Sequence, residues 1–250
     1  MTRTERLTPH FINVTLASDG MSGFEYLGFD QEVRLFFTRR HQTEVRLPDA
    51  TGNGWIPKFF LTPQKSRPHL RNYTIRACRP EAGELDIEFV VHGDDSPASY
   101  WATHAQPGDE VGLFPEGVQY LPTPTADVHL LVADESAVPA VLSILDHAPA
   151  TLRAEVFLEV PTAADIRAVP ELPDVHVHWL PRDGRDDVPG RLALETVRGA
   201  RLPIGELYCF TAGESGLPTG LRRHLVSDQG LPKSSVTFVG YWKQGRSTVD

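Results

Sequence analysis

Cysteine and long apolar runs are both scarce in this chain. Its 250 residues include two cysteines, Cys78 and Cys209, each within a strand-like apolar run. We therefore expect two small core residues rather than a disulfide, and no Cys/His spacing matches a zinc site. No stretch approaches the roughly 18 apolar residues that would span a bilayer. The first six residues start no apolar segment, so we expect no secretory signal and a cytoplasmic location.

Positive charge is also in short supply. The 24 Lys and Arg residues against 33 Asp and Glu residues give a net charge of −9, which argues against nucleic-acid binding. A hydrophobic content of 40% with 23% charged residues is ordinary for a globular protein and excludes disordered, collagen-like and coiled-coil chains. We expect a monomer without a membrane span.

One histidine pair has the spacing of possible metal ligands. A strand would place His176 and His178 on the same face. A zinc site needs three or four ligands, and no third candidate lies nearby in the sequence. We therefore predict a partly exposed strand here and no metal site.

Before about residue 120, short runs of β-type residues alternate with turn residues. We predict strands over residues 11–16, 32–37, 43–47, 71–78, 84–92 and 110–114. Many short strands at this spacing are typical of a closed antiparallel barrel.

After a proline-rich stretch over 115–127, strands alternate with helices. We predict strands over 128–133, 152–160, 175–180, 206–212 and 236–241, and helices over 137–147, 163–169, 192–198 and 220–226. This alternation is typical of a doubly wound parallel sheet, which binds ligands at the carboxyl ends of its strands. The predicted fold is an antiparallel β-barrel domain over 1–121 followed by an α/β domain over 122–250, with a cofactor cleft between them.

Two segments of the barrel half suit an anionic ligand. Arg71 opens a predicted strand, and its guanidinium offers a fork of donors that fits a pyrophosphate. Ser96 followed by Pro97 is a good helix start, and the small Ala98 and Ser99 would leave the first-turn amides accessible to a phosphate. Two anion-binding elements in one domain indicate a dinucleotide.

Five blocks in order along the chain resemble the siderophore-interacting protein family of ferric-siderophore reductases, which are flavoproteins related to ferredoxin–NADP reductases. Residues 71–76 (RNYTIR) resemble the family's R-x-Y-T-x-R flavin motif, and residues 89–102 resemble its pyrophosphate motif. Residues 133–140 (ADESAVPA), 212–225 and 240–245 (GYWKQG) resemble blocks of its C-terminal domain.

The resemblance implies an FAD-binding barrel and an NAD(P)H-binding-like domain, with the flavin at their cleft. The implied cofactor contacts are Arg71 to the pyrophosphate, Tyr73 to the flavin, Thr74 to the reactive ring nitrogen, His92 to the flavin, Ala98 and Ser99 to the phosphates, and Tyr241 and Trp242 from the second domain. Strand alternation nevertheless places Thr74 on the face opposite Arg71.

The substrate side is predicted from basic and acidic residues near the cleft. For an anionic ferric siderophore we select Arg34, Lys243 and Arg246; the family usually has arginine where this chain has Lys243. For the nicotinamide side we select Asp134, Glu135, Ser136 and Glu214. The electron donor is NADH, NADPH or ferredoxin, and no side chain is assigned as catalytic because the flavin carries the chemistry.

The predicted activity is flavin-dependent reduction of ferric siderophores with release of ferrous iron. The alternatives are a non-catalytic ferric-chelate binding module and a flavin reductase with another electron acceptor. A serine hydrolase is disfavoured, because residues 213–216 (GESG) do not form G-x-S-x-G. No G-x-G-x-x-G is present, which disfavours a standard Rossmann dehydrogenase.

Overall fold

The N-terminal half consists of two antiparallel sheets. The structure, a computed structural model, describes residues 1–48, 54–94 and 96–246. The strands are β1 (Arg3–Thr8), β2 (Phe11–Ala17), β3 (Glu32–Phe37), β4 (His69–Thr74), β5 (Ala77–Arg79), β6 (Glu84–Val90) and β7 (Gly112–Pro115). Two helices accompany them, α1 (Trp55–Leu61) and α2 (Pro97–His104). The sheet orders are β1-β2-β6-β5 and β4-β3-β7.

The two sheets enclose one apolar core and are joined at a corner after β4. Alternate residues of the strands point inward, and Val14, Leu35 and Ile87 are fully buried there. The backbone N–H of Ile75 donates to the Gln31 carbonyl at 2.8 Å, and that of Arg76 donates to the Asp86 carbonyl at 2.8 Å. Consecutive residues thus bond to different sheets, which gives the predicted barrel-type arrangement.

The predicted strand over 43–47 is wrong, because the segment forms no strand. Val45 is half-buried, and the other four residues of the segment are exposed. β-type residues form a strand only where a partner edge and a half-buried surface are available. The predicted strand over 71–78 is interrupted at the corner after β4. Helix α1 and the mostly exposed edge strand β1 were not predicted.

The C-terminal half is a five-stranded parallel sheet covered by helices. Its elements are β8 (Val128–Ala133), α3 (Val138–Asp146), β9 (Arg153–Val160), β10 (Asp174–Pro181), α4 (Arg191–Gly199), β11 (Leu207–Glu214), α5 (Gly216–Arg223) and β12 (Val236–Trp242). The order β10-β9-β8-β11-β12, with every pair parallel, confirms the predicted doubly wound sheet. The predicted helix over 163–169 is only a 3₁₀ turn, Ala163–Asp165.

Successive residues of β8 serve opposite layers of this domain. Leu131 packs in the cluster that contains α3, whereas Leu130 and Val132 pack in the cluster that contains α4 and α5. Cys209 is buried in the second cluster, and both cysteines are free, as predicted. Among the described residues, no helix combines the length and apolar content that crossing a membrane requires.

Ion pairs join the two halves. Arg76, just after β4, pairs with Asp146 at the end of α3. Arg167 of the second half places Nη1 2.8 Å from Oε2 of Glu88 on β6. His10, between β1 and β2, places Nδ1 2.8 Å from Oδ2 of Asp165. The predicted domain division at residues 121 and 122, which lies between β7 and β8, stays a prediction.

Candidate functional site

Strand β4 carries the flavin-type motif, and its pairing with β3 determines where each side chain points. Tyr73 pairs with Val33, and Arg71 pairs with Leu35, so both lie on the core-side face. Thr74 pairs with Glu32 on the opposite face, as strand alternation predicts. The Tyr73 ring packs on Phe89 with centroids 4.4 Å apart, and burial raises the pKa of its hydroxyl.

A basic and aromatic cavity adjoins the start of β4. Its volume is about 400 Å³, and its lining residues are Thr38, Arg39, Arg40, His41, His69, Pro97 and Tyr100. The Arg40 guanidinium lies 3.9 Å from the centre of the Tyr100 ring, a cation–π contact. His69 is two residues before the half-buried Arg71 on the same face of β4. The donors here are cationic and planar, which suits a phosphate and an aromatic base.

Helix α2 begins at this cavity with the predicted cap. The Ser99 backbone N–H donates to Oγ of Ser96 at 3.1 Å, and Pro97 occupies the first turn. The Ser99 hydroxyl donates to the Val90 carbonyl and accepts from the His92 N–H, both at 3.2 Å. Ser99 therefore ties α2 to the end of β6, and Ala98 is the half-buried small residue at the helix start.

His92 is paired with a carboxylate of the second half. Its Nε2 lies 3.6 Å from Oε1 of Glu135, and half of its side chain is exposed. Arg182 holds Glu135 through two bonds of 2.6 and 2.8 Å, and it also donates to Glu159 at 2.9 Å. Burial lowers the pKa of His92, and the Glu135 charge opposes this.

Sequence reasoning did not select Arg182 or this carboxylate pair as a unit. Glu135 follows β8, Glu159 lies near the end of β9, and Arg182 follows β10. Because these strands are parallel neighbours, their carboxyl ends bring all three residues to one edge of the sheet. The sequence feature that could have identified this group is the position of all three residues at the ends of predicted strands. Glu159 also accepts the backbone N–H groups of Gly190 and Ala193 at 2.8 Å each, which positions the start of α4.

The acids selected for the nicotinamide side are mostly occupied by backbone donors. Asp134 is fully buried and accepts from the Ser136 hydroxyl at 2.6 Å and the Glu214 N–H at 2.5 Å. Glu214 in turn accepts the N–H groups of Gly216 at 2.6 Å and Gln244 at 3.2 Å. Burial raises the pKa of Asp134, and the charge of Glu135 raises it further. Contact of these residues with a nicotinamide nucleotide stays a prediction.

The last strand places Tyr241 against the opposite face of β4. Thr74 lies beside the buried Tyr241 hydroxyl, which has no hydrogen-bond partner among the described residues. Burial raises the pKa of Tyr241, and the charges of Glu32 and Asp30 raise it further. Thr74 and Tyr241 therefore meet at the junction of the two halves, where the flavin ring was predicted.

The neighbouring Trp242 is anchored through its backbone. Its carbonyl accepts the Ser215 N–H at 2.9 Å and the Ser215 hydroxyl at 2.7 Å. Ser215, the serine of the GESG segment, thus connects β12 to α5. Its hydroxyl has a structural partner rather than a general base, which agrees with the rejection of a serine hydrolase.

The three predicted substrate residues differ in their surroundings. Arg34 is already paired, with Nε 2.5 Å from Oε1 of Glu116 and its guanidinium 5.2 Å from the centre of the Trp55 ring. Lys243 and Arg246 are exposed and belong to one turn, closed by an Arg246 N–H bond of 3.1 Å to the Lys243 carbonyl. This turn therefore presents two cations close together, directly after Trp242.

The histidine pair of β10 contacts one glutamate. His176 Nδ1 and His178 Nε2 contact the two oxygens of Glu155 at 3.0 and 2.7 Å. Within the part of the chain that the structure describes, no group of three His, Cys, Asp or Glu side chains has the arrangement of a metal site. The two histidines lie on a partly exposed strand.

Comparisons with known proteins agree with this arrangement. Residues 1–119 match the siderophore-interacting FAD-binding domain, and residues 126–245 match the siderophore-interacting protein domain. The chain is 31% identical to the ferric vibriobactin reductase of Vibrio cholerae, over 98% of this chain and 88% of that protein. It is 32% identical to the ferric acinetobactin reductase of Acinetobacter baumannii, over 78% of this chain and 68% of that protein.

A solved structure shows the same fold throughout. The crystal structure of a siderophore utilization protein from T. fusca superposes with a TM-score of 0.82 at 30% identity, covering 100% of this chain and 93% of that one. With both halves matched in order, the chain belongs to the siderophore-interacting protein family and contains that family's FAD-binding domain.

Proposed function

We propose that this protein is an FAD-dependent ferric-siderophore reductase, an oxidoreductase that releases ferrous iron. The observation that carries the proposal is the position of β4. Its R-x-Y-T segment lies between a basic cavity at one end and the Thr74–Tyr241 contact at the other. The relatives named for reduction of ferric vibriobactin and ferric acinetobactin support the substrate class.

The residues present fit FAD. Arg71 and the start of α2 at Ala98 and Ser99 would hold the pyrophosphate, because a guanidinium and first-turn amides both favour phosphate oxygens. The adjoining cavity, with its Arg40–Tyr100 pair, would accept the adenosine end. The flavin would be held by Tyr73, Thr74 and His92 from the barrel and by Tyr241 and Trp242 from the second domain.

The protein's own residues orient the reactants and select the substrate. When bound, FAD accepts two electrons and releases them singly to ferric iron. Arg34, Lys243 and Arg246 would attract an anionic chelate to the cleft. Ferric iron prefers the hard oxygen ligands of a siderophore, and its reduction weakens that preference, so no iron ligand from the protein is required.

The electron donor is proposed to be NADH, NADPH or ferredoxin. Around the carboxyl ends of the parallel strands, Ser136 is half-exposed, whereas Asp134, Glu135 and Glu214 are buried. Steady-state reduction of one ferric siderophore with each donor in turn tests the activity and identifies the donor. Failure with all three donors would contradict the proposal. A monomeric state and a cytoplasmic location stay predictions.

We expect the purified protein to carry FAD rather than FMN. FMN has no pyrophosphate to connect Arg71 with the start of α2, and it has no adenosine for the cavity. Chromatography of the cofactor released by denaturation distinguishes the two flavins. A colourless protein that also fails to take up added FAD would falsify the proposed function.

A further inference from the structure

Glu32 is a buried carboxyl group at the junction of the two halves. Its side chain is 7% exposed, and it pairs across the sheet with Thr74 of the flavin-type motif. The Asn72 amide donates to Oε2 at 3.3 Å, and Asn72 itself is exposed. Through the exposed Asn72, Glu32 is connected to solvent. It also lies on the strand next to Thr74, where the flavin ring is predicted.

Among the described residues, Glu32 has neither the paired arginine of Asp86 nor the backbone N–H donors of Asp30. Asp86 accepts two bonds from Arg79, at 2.7 and 2.9 Å. Near Glu32, the guanidinium of Arg34 places Nε 2.5 Å from Glu116 instead. A carboxyl group that served only to hold strands together would favour such a partner, because burying an unpaired charge is costly.

Among the described residues, four charged or titratable groups act on Glu32. They are Asp30 before β3, Arg34 on β3, Glu116 after β7 and Tyr241 on β12. Asp30 is fully buried and accepts the Tyr120 N–H at 3.0 Å. Burial, followed by the charge of Asp30, raises the pKa of Glu32 to about 7. Both protonation states are therefore accessible near neutral pH.

We propose that Glu32 is the redox-linked proton site of this protein, binding a proton when the flavin is reduced and releasing it when the flavin is reoxidised. The inference rests on the proposed function and on the position of Thr74 beside the flavin. Its geometric basis is the pairing of Glu32 with Thr74, the contact of Thr74 with Tyr241, and the exposed Asn72 amide.

The electrons and protons balance over one cycle. NADH or NADPH would supply two electrons and one proton to the flavin as a hydride, whereas with ferredoxin the electrons would arrive singly and that proton would come from solvent. With either donor the reduced flavin would carry a negative charge. That charge makes the ionised form of Glu32 less favourable, so the carboxylate takes one proton from solvent. Two ferric siderophores then accept one electron each, and both protons return to solvent. Glu32 thereby limits the build-up of negative charge where an anionic substrate must bind.

The principal test is the pH dependence of the flavin midpoint potential in the FAD-loaded full chain. Wild type should take up more than one proton per two electrons between about pH 6 and pH 8. The Glu32→Gln variant should take up one proton per two electrons over the same pH range. Glu81→Gln, the same change at an exposed position of the barrel, should behave as wild type.

A second measurement requires no flavin. The raised pKa of Glu32 means that the folded chain binds more protons than the unfolded chain between about pH 4.5 and pH 7, so stability falls as pH rises through that range. The Glu32→Gln variant has no carboxyl group at this position, so it does not lose this part of its stability as pH rises. Its Tm should therefore rise relative to wild type by a few degrees as pH increases, while the Tm difference for Glu81→Gln stays constant.

The outcomes separate this inference from the proposed function. A chain that reduces ferric siderophores but has the same proton uptake in Glu32→Gln and wild type overturns the inference alone. A Tm difference that does not change with pH also overturns it, because Glu32 would then titrate as an ordinary carboxyl group. A chain that binds no FAD overturns both the inference and the function.

Discussion

The Arg71→Ala variant is expected to bind FAD roughly 10- to 150-fold more weakly than wild type. The substitution removes the charge-assisted hydrogen bonds that we propose for Arg71 and the pyrophosphate, and such bonds contribute about 1.5–3 kcal/mol. Arg71 is half-buried on β4, and its Nη1 donates to the Leu70 carbonyl at 2.7 Å, which restricts the side chain near the cavity. A guanidinium held in this way loses little further entropy when it binds a phosphate.

Titration of the flavin-free chain with FAD, followed by flavin fluorescence, measures the effect. Arg46→Ala is a suitable control, because Arg46 is in the same domain, its side chain is 74% exposed, and it pairs with its neighbour Glu44. Arg71→Lys keeps the charge without the fork and should bind FAD with intermediate affinity. Equal affinities for Arg71→Ala and Arg46→Ala would show that the pyrophosphate lies elsewhere.

The double variant Lys243→Glu/Arg246→Glu is expected to raise KM for an anionic ferric siderophore by roughly tenfold or more. Both residues are exposed on one turn, so reversing both charges replaces attraction with repulsion at a single point. FAD content and flavin reduction by the donor should be unchanged, since the proposed flavin contacts of β12 are Tyr241 and Trp242, which the double variant keeps. A neutral ferric siderophore should show a smaller effect.

Stopped-flow reduction by the donor, followed by reoxidation with each chelate, separates these steps. Arg201→Glu/Lys233→Glu is a control with the same change in net charge at exposed positions elsewhere in the second domain. Added salt should reduce the wild-type advantage, because exposed charges are screened over about 8–10 Å at physiological ionic strength. If the Lys243/Arg246 variant reoxidises at wild-type rates with the anionic chelate, the turn has no role in substrate attraction.

Much of the secondary structure could be predicted from local patterns. The predicted bounds of β3 and β8 agree with the structure, because both strands are dense in apolar and β-branched residues whose partners lie on both sides. The segment 43–47 has similar residues and forms no strand, because its side chains apart from the half-buried Val45 are exposed and do not form a packed face. Strand β1 was missed for the opposite reason, since pairing with β2 makes a strand of a polar segment.

Some residues of the candidate site could be located from the sequence, and others could not. Arg71, Tyr73 and Thr74 could be located from their order in one strand, and the helix start at Ser96 could be located from its capping residues. The partners of Arg34 and His92 could not be predicted from the sequence. Glu116 and Glu135 are remote from them in sequence and come near only when the chain folds. Nor could Glu32, which reads as an ordinary strand residue until Asp30 and Tyr241 pack beside it.

The sequence by itself determined the order of a β domain and an α/β domain, the family resemblance and the anion-binding segments, because caps, alternation and turn chemistry act over a few residues. Only the tertiary structure decided which acids are occupied by backbone donors, which arginines are paired, and that Glu32 is buried with no cation in ion-pair distance among the described residues. Those properties depend on desolvation and on charges contributed by distant segments, and neither is specified until the sheets and domains have packed together.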